Sequence, residues 1–367
     1  MYHRSNRRLR TSSIAAFLFM LTALTPASFA LDLGFSYTLG GNFTGVINIT
    51  ADDITLDLNG YSVIAPTSGG SYGINTNGHN GVTITSTNGF GTVSGFDTGV
   101  GIINSNSATV SNIHCTGCNV GLVERAYSAI TITNVVCTYN NAEGFKIRNA
   151  LAVWLTDCVS QYNHDGFDQN YGWSFYYNYC LASNNTVNGF EVDYANGFAY
   201  NNCASYENTE NGFSITDQAM SGSLYGCIAN NNNHGIHFNN NPSYIYCTGT
   251  NASGNVNGIH VEHSSNLSFE NCETSANSDG IHFSDTSTYN TFTSCVSSNN
   301  TDDGISLENF SSENQFIGCI SSNNAGDGLH LRTSSNYNIF DGCTAQNNDG
   351  QNRDDKCSGN TYPNCIF

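Results

Sequence analysis

The chain has 367 residues, 29 of them acidic and 10 basic, for a formal net charge of −19. Such a surface argues against nucleic acid as a partner, because phosphate contacts demand basic residues. With only 4 prolines and no charged or low-complexity break, the sequence shows no linker and reads as one elongated domain rather than two compact ones.

At the N-terminus, Arg4, Arg7, Arg8 and Arg10 precede an apolar run from Ile14 to Leu24, and Ser28 and Ala30 supply small residues ahead of Leu31. This is the pattern of a secretory signal peptide over residues 1–30, with Arg7-Arg8 hinting at a twin-arginine route. The run is shorter than the roughly 20 apolar residues that span a bilayer, and no later run is longer, so no transmembrane segment is expected in the mature chain. Cleavage would remove four basic residues and no acidic one, leaving a charge of about −23 on a secreted, periplasmic or extracellular protein.

The stretch TLDLNGYSVI, residues 55–64, marks a first coil inside an N-terminal cap expected over residues 31–72. A repeat then takes over. Gly73, Gly99 and Gly121 open a glycine series that becomes regular at Gly144, Gly166, Gly189, Gly212, Gly235, Gly258, Gly280, Gly304 and Gly328, each followed by an apolar residue. Beside it run a cysteine series (Cys137, Cys158, Cys180, Cys203, Cys227, Cys247, Cys272, Cys295, Cys319, Cys343) and an asparagine five residues beyond most of them, as in Asn163, Asn185, Asn208 and Asn232. After each glycine the residues alternate apolar and polar, as in GFEVD, GIHVE and GLHLR, the period of a strand with one buried face. A unit of this size cannot bury its apolar face alone, so successive units must stack. The expected fold is all-β: a single-stranded right-handed parallel β-helix of about twelve coils, a rod on the order of 55 Å long at ~4.8 Å per coil, right-handed because parallel crossovers are.

The columns carry structural readings first. The cysteines are expected to form a buried thiol stack, with adjacent-coil disulfides as the alternative. Cys115 and Cys118 make a CxxC without the second half of a zinc site. The asparagines suit left-handed turns and coil-to-coil amide bonding.

Chemistry is sought where the outward positions depart from monotony. In NHDGFDQNYGWSFYYNYC, residues 163–180, His164, Asp165 and Asp168 precede a burst of aromatics that includes Tyr171 and Trp173. If the coils align, Lys146, Asp168 and Glu191 share one outward stripe and Arg148, Asn170 and Asp193 the next. A mixed-charge patch on two or three coils of so acidic a chain could hold an acidic sugar; the alternative is a solvated ion-pair cluster. Asp168, flanked by carboxylates, is expected to resist ionisation. Lys146 is the expected proton acceptor with His164 in reserve, Asp193 completes the catalytic group, and Arg148, Asp165, Glu191, Trp173 and Tyr171 are expected to bind substrate.

The segment Asp165-Gly166-Phe167-Asp168-Gln169-Asn170, followed by NGFEVD ending in Asp193 and then NGFSI, resembles the catalytic module of mannuronan C-5 epimerases and, more broadly, related polysaccharide lyases. In that family a Tyr-Gly-Phe-Asp-Pro-His segment and a later Gly-Phe-x-x-Asp build the site that acts on the uronate. The resemblance covers roughly residues 140–240 and implies a parallel β-helix with Asp168 and Asp193 at its site. Asp165, Gln169 and Asn170 stand where the family has tyrosine, proline and histidine, so proton-transfer groups would have to come from elsewhere.

Further along, His237, His260 and His282 fall on consecutive coils with Glu262 and His263 beside them. Imidazoles in a line at ~4.8 Å per step converge poorly on tetrahedral zinc at roughly 2.0–2.1 Å, so no metal site is expected there. The glycine-aspartate nonapeptides of calcium-binding β-rolls are absent; calcium, if used, would bind at one local carboxylate cluster. At the C-terminus, Cys357 and Cys365 lie off the cysteine register and are expected to form a disulfide in a cap over residues 344–367. Two function classes emerge: a secreted protein that binds and modifies an acidic polysaccharide as an epimerase or lyase, and a non-catalytic rod, an adhesin or structural protein that presents its surface to glycans.

Overall fold

A computed structural model of the protein describes residues 29–67, 69–126 and 129–367, so nearly all of the expected signal peptide lies outside the described residues. Among the described residues there is no helix long and apolar enough to cross a membrane. Strands pair in parallel with the equivalent strand one coil away. Phe145, Phe167, Phe190, Phe213, Ile236, Ile259, Ile281, Ile305 and Leu329 form one continuous register. These are the residues that follow the glycines, and they point into the rod because the period of two sends alternate side chains inward.

The smaller of the two sheets has 14 strands, one per coil, from Phe43–Thr44 to Thr344–Gln346. The solenoid therefore has about fourteen coils, not twelve. The additional ones lie in the segment expected to be a cap, where Ala30–Leu33 already pairs with Val46–Ile49 and Phe43 with Val63. Those coils carry no glycine marker in register, and so the repeat looks shorter than it is. On two coils the strands of neighbouring faces fuse into 12-residue strands, Phe167–Asn178 and Phe190–Asn201. Inside, Phe145, Phe167, Phe190 and Phe213 stack ring on ring at 4.6, 4.7 and 4.8 Å.

Glycine is required where coils nearly touch. A Cβ on Gly166 would sit 2.3 Å from the carbonyl oxygen of Gly189, and every regular coil repeats this approach. The asparagine column is a buried ladder. Asn232 Oδ1 accepts the backbone N–H of Asn208 at 2.9 Å and its side-chain amide at 3.0 Å, and Asn208 does the same for Asn185. Asn140 and Asn255 belong to it as well.

The thiols form the expected stack, with changed membership. Cys158, Cys180, Cys203, Cys227, Cys272, Cys295, Cys319 and Cys343 each direct the thiol at a carbonyl of the preceding coil, Cys319 to Phe292 O at 3.4 Å, for example. Cys247 instead pairs in register with Leu224 and Phe269, and Thr250 fills the column with its hydroxyl 3.0 Å from Cys272 Sγ. Cys137 stacks over Cys115 on another face. The expected Cys357–Cys365 disulfide is a correction: all 14 cysteines are free, and Cys365 continues the stack with its thiol 3.1 Å from Phe340 O. A thiol engaged with that carbonyl in the column is not available to pair with Cys357. The end is closed instead by Arg353, whose guanidinium lies 4.6 Å from the Tyr362 ring and 4.7 Å from the Phe367 ring.

Two measurements check this packing. Denatured protein should titrate all 14 thiols, while the native rod exposes at most Cys357 and Cys365 to a thiol reagent. Asn232→Ala should strand the donors of Asn208 inside the rod and destabilise it by about 2 kcal/mol, seen as a lower midpoint in urea.

Candidate functional site

Three outward columns line one face of the rod: the residue before each glycine, and the second and fourth residues after it. The alignment is as the repeat requires, with Lys146 against Asp168 against Glu191, and Arg148 against Asn170 against Asp193. Below Glu191 the second column continues through Ser214, His237, His260 and His282.

The centre of the patch is an ion pair between Arg148 Nη2 and Asp168 Oδ2 at 2.6 Å, with Asp168 only 5% exposed. Arg148 Nε is buried without a partner, and so is Asn170 Oδ1 beside it. Burial pushes the Asp168 carboxyl up to about 6, with Arg148 pulling it down and Glu143 pushing it up. Glu191 reaches about 8, chiefly through burial and then through the neighbouring charges of Asp193, Asp165 and Asp168. Asp193 is raised for the same first reason, although it accepts the Thr216 hydroxyl. The expected reluctance of Asp168 to ionise is therefore present, but its main cause is desolvation, not the flanking carboxylates.

Lys146 departs from its expected role. Its ammonium is paired with Glu143, three residues back and partly buried, and an ammonium held by a carboxylate is a poor proton acceptor. Arg148 is likewise engaged with Asp168 rather than with Lys146. His164 is placed better than expected: its Nδ1 lies 2.8 Å from Asp165 Oδ2, and the ring is half exposed. Asp165 also accepts the Asn188 backbone N–H through Oδ1 at 3.0 Å, so both of its oxygens are committed. Beside the patch, Tyr171 and Tyr194 take left-handed backbone (φ 52° and 50°) at a corner and stack at 4.8 Å. Trp173 is 60% exposed. Alternation puts Phe175 and Tyr177 inside and Tyr176 outside, whereas Trp173, of the same parity as Phe175, is exposed because the left-handed Ser174 (φ 64°) breaks the alternation between them.

Sequence reading missed the column immediately before the glycines. It contains Glu143, Asp165, Asn188, Asn211, His234, Asn257, Asp279, Asp303 and Asp327, and it supplies Glu143 to the patch. The signal was present: the same offset from the marker glycine recurs on each coil. Farther down, His234, His237 and His260 form a compact group. Burial, helped by neighbouring imidazoles, pushes the first two down to about 4 and His260 to about 2, leaving neutral rings.

A right handed beta helix region family matches residues 98–252 and 220–345. No curated protein matches the chain in sequence. Among solved structures the fold is similar to the A-modules of two Azotobacter vinelandii mannuronan C-5 epimerases. AlgE4 is 15% identical, with 87% of this chain and 89% of that one covered and a TM-score of 0.55. AlgE6 is 14% identical, with 92% and 90% covered and a TM-score of 0.54. The pre-mature bacteriophage phi29 gene product 12 is also similar, at 10% identity, 92% and 53% coverage and a TM-score of 0.57. At these identities the likeness establishes architecture.

The raised carboxyls have a measurable consequence. Because Asp168 and Glu191 keep protons in the folded state that the unfolded chain releases near pH 4, their contribution to stability is full at low pH and is lost as pH rises through the folded values. Glu191→Gln mimics the protonated form. It should flatten the fall in melting temperature between about pH 5 and pH 9 relative to wild type; an unchanged slope would show that Glu191 ionises normally.

Proposed function

The chain belongs to the right-handed β-helix family, and from that premise we propose that it binds an acidic polysaccharide across the Arg148–Asp168–Glu191 patch and epimerises or cleaves its uronate units. The observation that carries this reading is the part-buried Arg148–Asp168 pair with Glu191, whose carboxyl burial pushes up to about 8, one coil away. A uronate carboxylate next to that pair would meet a guanidinium and a neutral carboxyl, a cationic donor and a neutral one. Both stabilise the charge that develops when the proton beside the carboxylate is removed.

His164 is the proton acceptor in this scheme. Asp165 engages Nδ1, which leaves Nε2 with its lone pair directed away from the carboxylate. Asp193 lies on the fourth-position column with Arg148 and Asn170, and it completes the polar floor. Lys146, held by Glu143, adds positive charge near the polyanion rather than a base. Return of the proton to the opposite face of the sugar gives the epimer; expulsion of the substituent one carbon further on gives an unsaturated product. Tyr171, Tyr194 and Trp173 offer apolar faces for flanking sugars. Calcium, if recruited, would serve at the carboxylates of this same patch.

A non-catalytic glycan-binding rod is the second reading. It is favoured by the aromatic pairs Tyr139–Tyr162 and Trp154–Tyr176, stacked on the outside of the rod apart from the charged columns.

The test is a panel of polyuronates followed by NMR for epimer change and by absorbance for unsaturated ends. The wild type should bind and convert at least one of them. His164→Ala should lower turnover by about 100-fold or more while binding persists, and Arg148→Gln should weaken both. Binding without conversion would favour the rod, and absence of binding at millimolar polymer would end both readings.

A further inference from the structure

Outside the charged patch, the most unusual chemistry on the rod is the group of histidines two to three coils below Glu191. Their rings touch. The centroids of His234 and His237 are 5.2 Å apart, those of His234 and His260 4.7 Å, and those of His237 and His260 4.9 Å. The three rings thus form a triangle and not a line, because His234 comes from the column before the glycine and the other two from the column after it. The objection that a stripe of imidazoles cannot converge on one ion applies to His237, His260 and His282 in line; two of them with a carboxylate from the fourth-position column can converge.

A carboxylate joins them. Glu262 Oε2 is 3.5 Å from His237 Nε2, and donor atoms of His237, His260 and Glu262 all lie within 4.8 Å of one another. A point common to three atoms no farther apart than this is at most about 2.8 Å from each, so each need move by only about 0.7 Å to reach a metal–ligand bond of about 2.1 Å. The nitrogens are also unused. His234 Nδ1, His237 Nε2 and His260 Nδ1 are buried without a hydrogen-bond partner. Neutral imidazoles whose buried nitrogens have no partner are costly to the fold, and an ion would satisfy them.

His234 also interrupts a hydrogen-bonding column. One coil above it, Asn211 accepts no bond at Oδ1, whereas Asn188 Oδ1 accepts the Asn211 backbone N–H at 3.3 Å and its side-chain amide at 2.9 Å. The chain gives up a ladder contact to place an imidazole here.

We propose that His237, His260 and Glu262, with His234 packed against both imidazoles, form a site for a divalent transition-metal ion, of which zinc is the simplest occupant. Imidazoles joined by one carboxylate are donors suited to zinc, copper or nickel rather than to calcium or magnesium. The site is independent of the polysaccharide reading, since none of its four residues belongs to the Arg148 patch. A neighbouring acidic group, Asp303, Asp327 and His330, is the competing location, and the buried thiols are another.

The experiment uses the full chain, stripped with a chelator and titrated with zinc chloride by calorimetry, and with cobalt(II) by absorbance. One equivalent of zinc should bind, with a rise in melting temperature. The His237→Ala/His260→Ala variant should lose at least about tenfold in affinity, since even outer-shell changes cost 10–100-fold at metal sites, and His330→Ala should bind as wild type. Cobalt should give weak visible bands without the intense near-ultraviolet absorption of thiolate ligation. That spectrum, read on the wild type, decides the matter should the double variant fail to fold. No zinc binding at tens of micromolar, binding that survives the double substitution, loss in His330→Ala, or thiolate bands would each overturn the assignment.

Discussion

Everything in this molecule depends on one translational constraint: each coil is laid on the previous one in register, so a residue at a given position lies about 4.8 Å from its counterpart on the next coil. Like therefore falls on like. Where the repeated residue can bond to its own kind, the repeat is stabilising. Asparagine donates through N–H and amide and accepts through Oδ1, so each rung of the Asn140–Asn348 ladder satisfies the one before. Phenylalanines stack and thiols point at carbonyls.

Where the repeated residue is charged, the same constraint works against the fold. Asp168 over Glu191 crowds two carboxylates that are already partly desolvated, and His237 over His260 does the same to two imidazoles. Neutralisation relieves both: Glu191 retains its proton while Arg148 offsets Asp168, and the imidazole rings are left neutral. A stack of ionisable groups is therefore a place where the rod is chemically poised, and such stacks are confined to a few coils. The scarce basic residues follow the same logic. Lys146 and Arg148 offset carboxylates in the patch, while Arg332, Arg353 and Lys356 cluster at the C-terminal end with Asp354 and the capping aromatics.

Because chemistry is repeated along columns, much of it is legible in the sequence. The glycine marker fixed the parity of the strand after it, so Phe167 inward and Asp168 outward followed, as did the pairing of Lys146, Asp168 and Glu191. What escaped were events that a marker does not report. Thr250 and Cys247 exchange roles within a span of three residues, which the spacing of cysteines cannot reveal. Cys365 follows Cys343 by 22 residues, the spacing of Cys158 and Cys180, so it belongs to the column although the marker glycines end at Gly328, a coil before it. The first coils have no glycine marker, so the sequence alone suggests a cap there. Partner choice was also hidden: Lys146 and Glu143 are on one coil, and only side-chain geometry shows that they meet.

The separation between inner and outer columns explains how such a rod can carry a localised site at little structural cost. Core energy comes from Phe, Ile, Leu and Cys facing inward and from the asparagine ladder at the corner. Residues at the second and fourth positions after the glycine face outward, and many coils place Ser, Thr or Asn there. Replacing these with Asp, Glu, Arg or His alters electrostatics without altering the stack. The cost appears as shifted protonation rather than as lost packing. It also follows that likeness of fold among proteins of this shape says little about activity, since the coils are shared and the outward columns are not. For this chain the decisive features are the ones that break the monotony of those columns: Arg148 with Asp168 and Glu191, and the histidine triangle below them.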